Sequence, residues 1–311
     1  MSAHEILIGV MAVFALLGAL DRILGNPVGL GQEFENGILA NDMGGGALAR
    51  ELTTDPQAAG LGGVITGSML GATIVFTIPV ALGILPRKDR PFLAKGILCG
   101  IVTIPIGVLA AGLVAGYPVL MVLRNLIPIV LIGGLIALGL WKAEKGMIKG
   151  FGIFGKGVVA LITVGLAAAI FEALTGWEII PGLNGIEEGF QTVGDIAIVL
   201  AGAFPLVFAI TRLLRKPLLK LGKLLGINDT AAAGLIASLA NSIATFGMVK
   251  EMDDRGKVVN IAFAVSAAFV FGDHLGFTAG FAPELLPAVI VGKLVGGVSA
   301  VAVALWLTRK K

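Results

Sequence analysis

Charged residues are scarce in this sequence. Only 14% of its 311 residues are Asp, Glu, Lys or Arg, whereas 57% are hydrophobic, and the mean hydropathy is +0.97. A soluble domain needs about a quarter of its residues charged to cover its surface. The composition therefore excludes a soluble globular protein and predicts a chain whose outer surface faces lipid, because lipid-facing positions prefer apolar side chains.

Cysteine and histidine are also nearly absent. Cys99 is the single cysteine, so no disulfide can form within the chain. His4 and His274 are the two histidines, too few with one cysteine for a zinc site. The net charge of +3 is small and scattered, unlike the basic patch of a nucleic-acid-binding protein. We expect no metal, no cofactor, no nucleic acid partner and no catalytic cluster, and we interpret the protein as not an enzyme.

Long apolar runs dominate the chain instead. A membrane-spanning helix needs about 20 mostly apolar residues. Runs that meet or approach this length occupy residues 6–20, 56–86, 96–123, 125–141, 157–171, 189–211, 231–249, 258–272 and 285–308. Together with half a helix near 38–52, they predict an all-α polytopic membrane protein with about ten membrane-embedded helices. Residues 1–311 would form a single transmembrane domain.

Basic residues predict how these segments are oriented, because Lys and Arg concentrate on the cytoplasmic side. Basic clusters begin at Arg87, Lys142, Arg212, Lys250 and Arg309. The segment from Glu172 to Glu188 has four Glu and neither Lys nor Arg, and we place it outside. The C-terminus is then cytoplasmic. The run 231–249 has basic clusters at both ends, which a simple span cannot have, so we predict a re-entrant or broken segment there.

Two stretches of the chain repeat each other with an offset of 195 to 200 residues. Leu39-Ala40-Asn41 matches Leu239-Ala240-Asn241, Thr73 to Phe76 matches Ala268 to Phe271, and Gly96 to Gly100 matches Gly292 to Gly296. The charge-derived orientations of the two copies are opposite. Inverted repeats are typical of secondary transporters. We therefore predict an inverted-topology repeat with residues 38–116 as its first, incomplete half, 117–190 as linking helices and 191–311 as its second half.

Glycine is abundant, with 46 residues. Small residues at four-residue spacing let membrane helices approach closely. The sets with this spacing are Gly63, Gly67 and Gly71; Gly96 and Gly100; and Gly292 and Gly296. Close helix contacts are the interpretation, although a glycine-rich apolar chain also produces such spacings by chance.

Several strings in the sequence resemble the ethanolamine utilisation permease family. They are Asn41-Asp42-Met43-Gly44-Gly45, Phe76 to Gly83, Gly100 to Gly107, Asp254-Arg255-Gly256-Lys257-Val258 and Gly272-Asp273-His274-Leu275-Gly276-Phe277. The resemblance covers the chain from about residue 5 to its end. It departs after Gly37, where family members carry a further apolar stretch that is absent here.

This resemblance implies a multi-pass protein of the bacterial inner (cytoplasmic) membrane that admits ethanolamine to the cell, either by facilitated diffusion or by ion-coupled uptake. Ethanolamine and the lipid bilayer would be its partners. A permease for another small polar solute, such as a nucleoside, stays open as the alternative. The oligomeric state is not readable from the sequence.

Ionisable and amide side chains inside apolar runs are the candidate binding residues, since such groups are costly in a bilayer. An ammonium with a hydroxyl needs one carboxylate and several neutral hydrogen-bonding groups. Asp42 or Asp273 would supply the charge, and the neutral groups would be Asn41, Asn241, Ser242 and Thr245. His274 is either a proton-linked group or a packing residue. Asp273 has a structural alternative, an ion pair with Lys293, and the long Lys293 side chain could instead extend to an interface.

Overall fold

The computed structural model describes residues 53–182 and 185–309, together with residues 6, 10, 13, 14, 17, 21 and 27–30. In the described residues all regular secondary structure is helical and none is β-strand, which confirms the predicted all-α class. The segment 38–52, which contains Asn41 and Asp42, lies outside the described residues.

The helices are numbered here from the first one described at residue 56. α1 is Pro56–Ile84, with π-helical turns over Gly60–Gly71 and Thr73–Thr77. The others are α2 Arg90–Ile101, α3 Ile104–Val114, α4 Val119–Lys142, α5 Glu144–Thr175, α6 Ile186–Leu225, α7 Asp229–Ala240, α8 Ser242–Met248, α9 Asp254–Ala267, α10 Asp273–Phe281 and α11 Leu286–Leu307. Single 3₁₀ turns at Arg87–Asp89, Val249–Glu251 and Pro283–Leu285 connect neighbouring helices.

Five helical segments of the described residues are long and apolar enough to cross a bilayer. They are Pro56–Ile84, Arg87–Val114, Val119–Lys142, Gly189–Leu206 and Pro283–Leu307. Leu120 and Leu135 of α4 are 80% and 69% exposed, as expected of a helix that faces lipid. The protein is a multi-pass membrane protein. The count of about ten membrane-embedded helices and the inverted repeat stay predictions.

Glycines lie where the central helices touch. α2 packs along α9, and α3 packs along α11. A β-carbon at Gly292 would lie 2.6 Å from that of Ala111, and one at Gly96 would lie 2.5 Å from that of Ile261. Two of the three predicted glycine sets therefore mark close helix contacts. The first set differs, because a β-carbon at Gly71 would meet no atom within 4 Å.

A buried ion pair lies at one end of this bundle. Lys257 at the start of α9 donates to Asp89 Oδ1 across 2.8 Å, and Asp89 is 1% exposed. Removing one partner from a buried pair leaves an uncompensated charge at a cost of about 3–5 kcal/mol. The pair therefore fixes the turn before α2 against α9.

We predict that Gly292→Ala destabilises the protein by about 1–3 kcal/mol, because the added methyl group overlaps α3 and forces the helices apart. Gly134→Ala on α4 is the matched control, since a β-carbon there meets no atom within 4 Å. Thermal unfolding of both variants in detergent measures the difference. Equal midpoints for the two would show that α3 and α11 are not in close contact.

Candidate functional site

The segment 231–249 is a broken helix. α7 ends at Ala240, Asn241 is extended with φ −155° and ψ 122°, and α8 begins at Ser242. Asn241 Oδ1 accepts a hydrogen bond from the Ile243 amide at 2.8 Å, which caps the new helix as an N-terminal Asn does. The sequence predicted a break in this segment, and the break is seen. Its re-entrant course through the bilayer stays a prediction.

Thr245 ties the two halves of the broken helix together. Its hydroxyl donates to the Gly234 carbonyl of α7 at 2.9 Å and lies 2.8 Å from Ser238 Oγ. Thr245 and Ser238 are both fully buried. The structure thus gives Thr245 a structural role, while its predicted contact with a substrate stays a prediction.

A second break lies within the apolar run 258–272, which the sequence predicted as one continuous segment. α9 ends at Ala267 and α10 begins only at Asp273. Within the unwound residues, Phe269 has a left-handed backbone with φ 61°, a conformation that costs a non-glycine residue about 1–2 kcal/mol. Strain of this kind concentrates at functional sites. The ionisable pair Asp273-His274, directly after this apolar run, was the one sequence signal for the break.

The two breaks meet. The amides of Phe269 and Phe271 donate to the carbonyls of Ser238 and Leu239, each at 2.9 Å. A β-carbon at Gly272 would overlap the carbonyl oxygen of Ala240, so only glycine permits this approach. The unwound segment therefore pairs with the last turn of α7, and α10 begins beside the break at Asn241.

Polar side chains with unused hydrogen-bonding capacity lie at this crossing. Ser242 is fully buried and His274 is 4% exposed. Among the described residues, neither Ser242 Oγ nor His274 Nδ1 has a hydrogen-bond partner, although buried polar groups normally have one. Asp273 lies half-buried in the first turn of α10, where the helix dipole favours a negative charge. Three of the predicted site residues thus lie near the break at Asn241.

Aromatic rings enclose one side of this site. The His274 ring lies 5.2 Å from that of Phe269, and the Phe76 ring of α1 packs edge-on against Phe269 at 5.5 Å. Phe269 is 4% exposed. The strained residue therefore joins α1 to the ionisable pair at the start of α10.

Lys293 lies deep in the bundle, not at an interface. It is 1% exposed, and its ammonium donates to the backbone oxygen of Ser68 on α1 at 2.7 Å. Among the ion pairs of the described residues, Lys293 and Asp273 are not partners. The expectation that the Lys293 side chain extends toward an interface is wrong, because α11 turns this residue toward the π-helical part of α1.

A cavity of about 360 Å³ opens at the first turn of α1. Its lining includes Thr53, Gly60, Tyr117, Glu284 and Leu285. Burial raises the pKa of the Tyr117 phenol, and the nearby carboxylates of Glu284 and Asp55 raise it further. The cavity thus combines an aromatic ring with negative charge. Its lining comes from three distant parts of the sequence, so no local pattern could predict it.

The cavity and the Lys293–Ser68 hydrogen bond lie along the same two helices. Ser68 follows Gly60 by eight residues, and Lys293 follows Leu285 by eight residues. Eight helical residues extend for about 12 Å. The lysine therefore bridges α1 and α11 about two turns inward from the cavity.

The sequence of this chain matches a family of known proteins. The family model described as "Ethanolamine utilisation protein, EutH" matches residues 3–40 and 36–307. The two matched segments meet near Gly37, where the sequence predicted a missing stretch. No solved structure matches the chain.

Relatives are found in several bacteria. A protein of Listeria monocytogenes, named probable ethanolamine permease EutH, is 52% identical over 356 positions that cover 100% of this chain and 95% of the relative. A Salmonella typhimurium protein of the same name is 48% identical, with 99% of this chain and 79% of the relative covered. The uncharacterized protein YxeR of Bacillus subtilis is 44% identical, with 99% and 96% covered.

We predict that Thr245→Val lowers the stability of the protein by about 1–3 kcal/mol, because it leaves the buried Ser238 hydroxyl without its partner. Thr245→Ser keeps the hydroxyl and should unfold close to the parent. Thermal unfolding of the purified proteins in detergent measures both. A valine variant as stable as the parent would show that this hydroxyl does not hold the broken helix together.

Proposed function

The chain belongs to the EutH family of ethanolamine utilisation proteins, and from this premise we propose that it carries ethanolamine across the bacterial cytoplasmic membrane into the cell. Two of its relatives, from Listeria monocytogenes and Salmonella typhimurium, are named probable ethanolamine permeases. The protein would act as a transporter and not as an enzyme.

The observation that carries this proposal is the crossing of two broken helices beside Asp273 and His274. Discontinuous helices form the substrate sites of many secondary transporters, because their ends offer unpaired backbone groups and dipoles. Ionisable groups at such a place in a bilayer are functional candidates by default. The breaks at Asn241 and at residues 268–272 supply both features.

The chemistry of these side chains suits a small amino alcohol. Ethanolamine at neutral pH carries a primary ammonium, which a carboxylate binds through a short charge-assisted hydrogen bond. Asp273 would supply this carboxylate. Ser242 and His274 would exchange hydrogen bonds with the substrate hydroxyl and remaining N–H groups, and Asn241 would contribute its amide. Asn41 and Asp42 are proposed as the contribution of the first repeat.

The proposed inverted repeat accounts for how the site would face each side in turn. The π-helical turns at Thr73–Thr77 of α1 lie at the position that the repeat matches to the break at 268–272. Thr73 donates to the Val265 carbonyl at 2.9 Å, so the two positions are also neighbours. Similar irregularities at matched positions support two related conformations, as inverted repeats provide.

Lys293 would act as a barrier on the path from outside. Its ammonium is chemically similar to that of the substrate. By donating to the Ser68 carbonyl, it connects α11 to α1. We propose that this contact closes the path in the conformation described here. The cavity at Tyr117 and Glu284 would collect the cation outside this barrier, since negative charge in a cleft raises the local concentration of cations.

We predict that Asp273→Asn lowers ethanolamine uptake about 30-fold or more, because losing one partner of a buried charge pair costs at least about 2 kcal/mol. Uptake of labelled ethanolamine into liposomes measures this, at two pH values so that proton coupling appears as a pH-dependent rate. Asp195→Asn is the matched control, since Asp195 is exposed on α6.

The outcomes separate the site from the substrate. Normal uptake by Asp273→Asn would remove Asp273 from the site and leave the transport class intact. Parent liposomes that take up no more ethanolamine than empty ones would overturn the substrate assignment. Uptake of a labelled nucleoside in its place would favour the alternative permease.

We predict that Glu284→Gln raises the KM for ethanolamine about fivefold, as expected for the loss of about 1 kcal/mol of charge attraction, and leaves the maximal rate unchanged. Glu187→Gln is the control, because Glu187 is an exposed acid at the start of α6 and lies outside this cavity. Initial uptake rates at low and high salt measure the effect. A KM that is unaffected by Glu284→Gln at low salt would contradict a cation-collecting role.

A further inference from the structure

A groove of about 630 Å³ lies where α1 ends and where α2 and α5 begin. Four basic residues line it, namely Arg87, Arg90, Lys145 and Lys149, with Glu144 as the acid among the lining residues. Its walls therefore carry a net positive charge. The groove is separate from the crossing of the broken helices and plays no part in the proposed transport site.

The positive charge of the groove is not neutralised by the acid nearest in sequence. Asp89 lies between Arg87 and Arg90, yet its carboxylate binds Lys257 at 2.8 Å. Among the described residues, the buried Nε of Arg90 has no hydrogen-bond partner. Arg90 also begins α2, whose N-terminal amides favour an anion. A guanidinium with a free Nε donor at a helix N-terminus is suited to a phosphate group.

Apolar side chains form the rest of the groove. Leu82, Ile148 and Ile153 line it, and Ile153 is 63% exposed. A free phosphate or a nucleotide would leave this apolar surface uncovered. A ligand with a negative head and a hydrocarbon tail would satisfy both the basic and the apolar walls.

We propose that this groove binds the headgroup of an anionic phospholipid from the cytoplasmic leaflet. Its basic residues belong to the clusters at Arg87 and Lys142 that the distribution of Lys and Arg places on the cytoplasmic side. Basic pockets between membrane helices on that side bind anionic headgroups. A lipid bound there would connect the C-terminal end of α1 and the start of α2 to the start of α5 through a single phosphate.

The test compares lipid binding by the purified full-length chain and two double variants. Native mass spectrometry measures the affinity for phosphatidylglycerol and for phosphatidylcholine. Each basic residue near the surface contributes about fivefold in affinity, so Arg87→Gln with Arg90→Gln should weaken phosphatidylglycerol binding about 30-fold. Phosphatidylcholine binding should not change. Lys145→Gln with Lys149→Gln removes two charges of the same groove at exposed positions on α5, where substitutions rarely disturb folding. This variant should weaken phosphatidylglycerol binding by a similar factor.

The matched control is Lys220→Gln with Lys223→Gln, which removes the same charge from exposed positions on α6. Its phosphatidylglycerol affinity should stay close to that of the parent. Equal losses in the control and the groove variants would overturn the proposal, since the effect would then be one of net charge. Displacement of phosphatidylglycerol by an equal concentration of inorganic phosphate would also overturn it, because the ligand would then be phosphate without a lipid.

Discussion

Every backbone donor and acceptor inside a bilayer needs a partner within the protein, because lipid offers none. The two broken helices show how this chain meets that requirement. Breaking α7 from α8 frees carbonyls at Ser238 and Leu239, and unwinding residues 268–272 frees amides. The amides of Phe269 and Phe271 donate to those carbonyls at 2.9 Å. Each break therefore supplies the hydrogen-bonding groups that the other lacks.

The ionisable groups inside the bundle fall into two kinds. Asp89 with Lys257, and Lys293 with the Ser68 carbonyl, have partners at 2.8 and 2.7 Å, and they fix one helix against another. His274 belongs to the crossing, where its Nδ1, like the Oγ of the buried Ser242, has no hydrogen-bond partner among the described residues. Burial without such a partner is costly. The second kind is therefore where we propose that a polar solute binds.

Sequence alone predicted the helical class and the break in 231–249, because hydropathy and the distribution of basic residues report the course of the chain directly. It also predicted the family, through strings such as Gly272 to Phe277 that resemble those of its members. It missed the break at residues 268–272, since that apolar run is continuous and the carbonyls that pair with the unwound backbone, those of Ser238 and Leu239, lie more than 30 residues earlier in the chain. The predicted direction of the Lys293 side chain was also wrong. The residues of an apolar helix do not show which of its sides faces the bundle. The cavity lined by Tyr117 and Glu284 was also not predicted, because its lining comes from three parts of the sequence that meet only in the folded protein.

The pairing between the unwound segment and α7 has a mechanical consequence. Two backbone hydrogen bonds, together with the contact of Gly272 against the Ala240 carbonyl, hold the C-terminal end of α7 against the unwound residues that follow α9. Sliding of one past the other would leave the amides of Phe269 and Phe271 without hydrogen-bond partners, which is costly for buried groups. A conformational change that keeps these bonds would keep the junction intact and move other helices relative to it. The most irregular part of the backbone would be the hub that moves least.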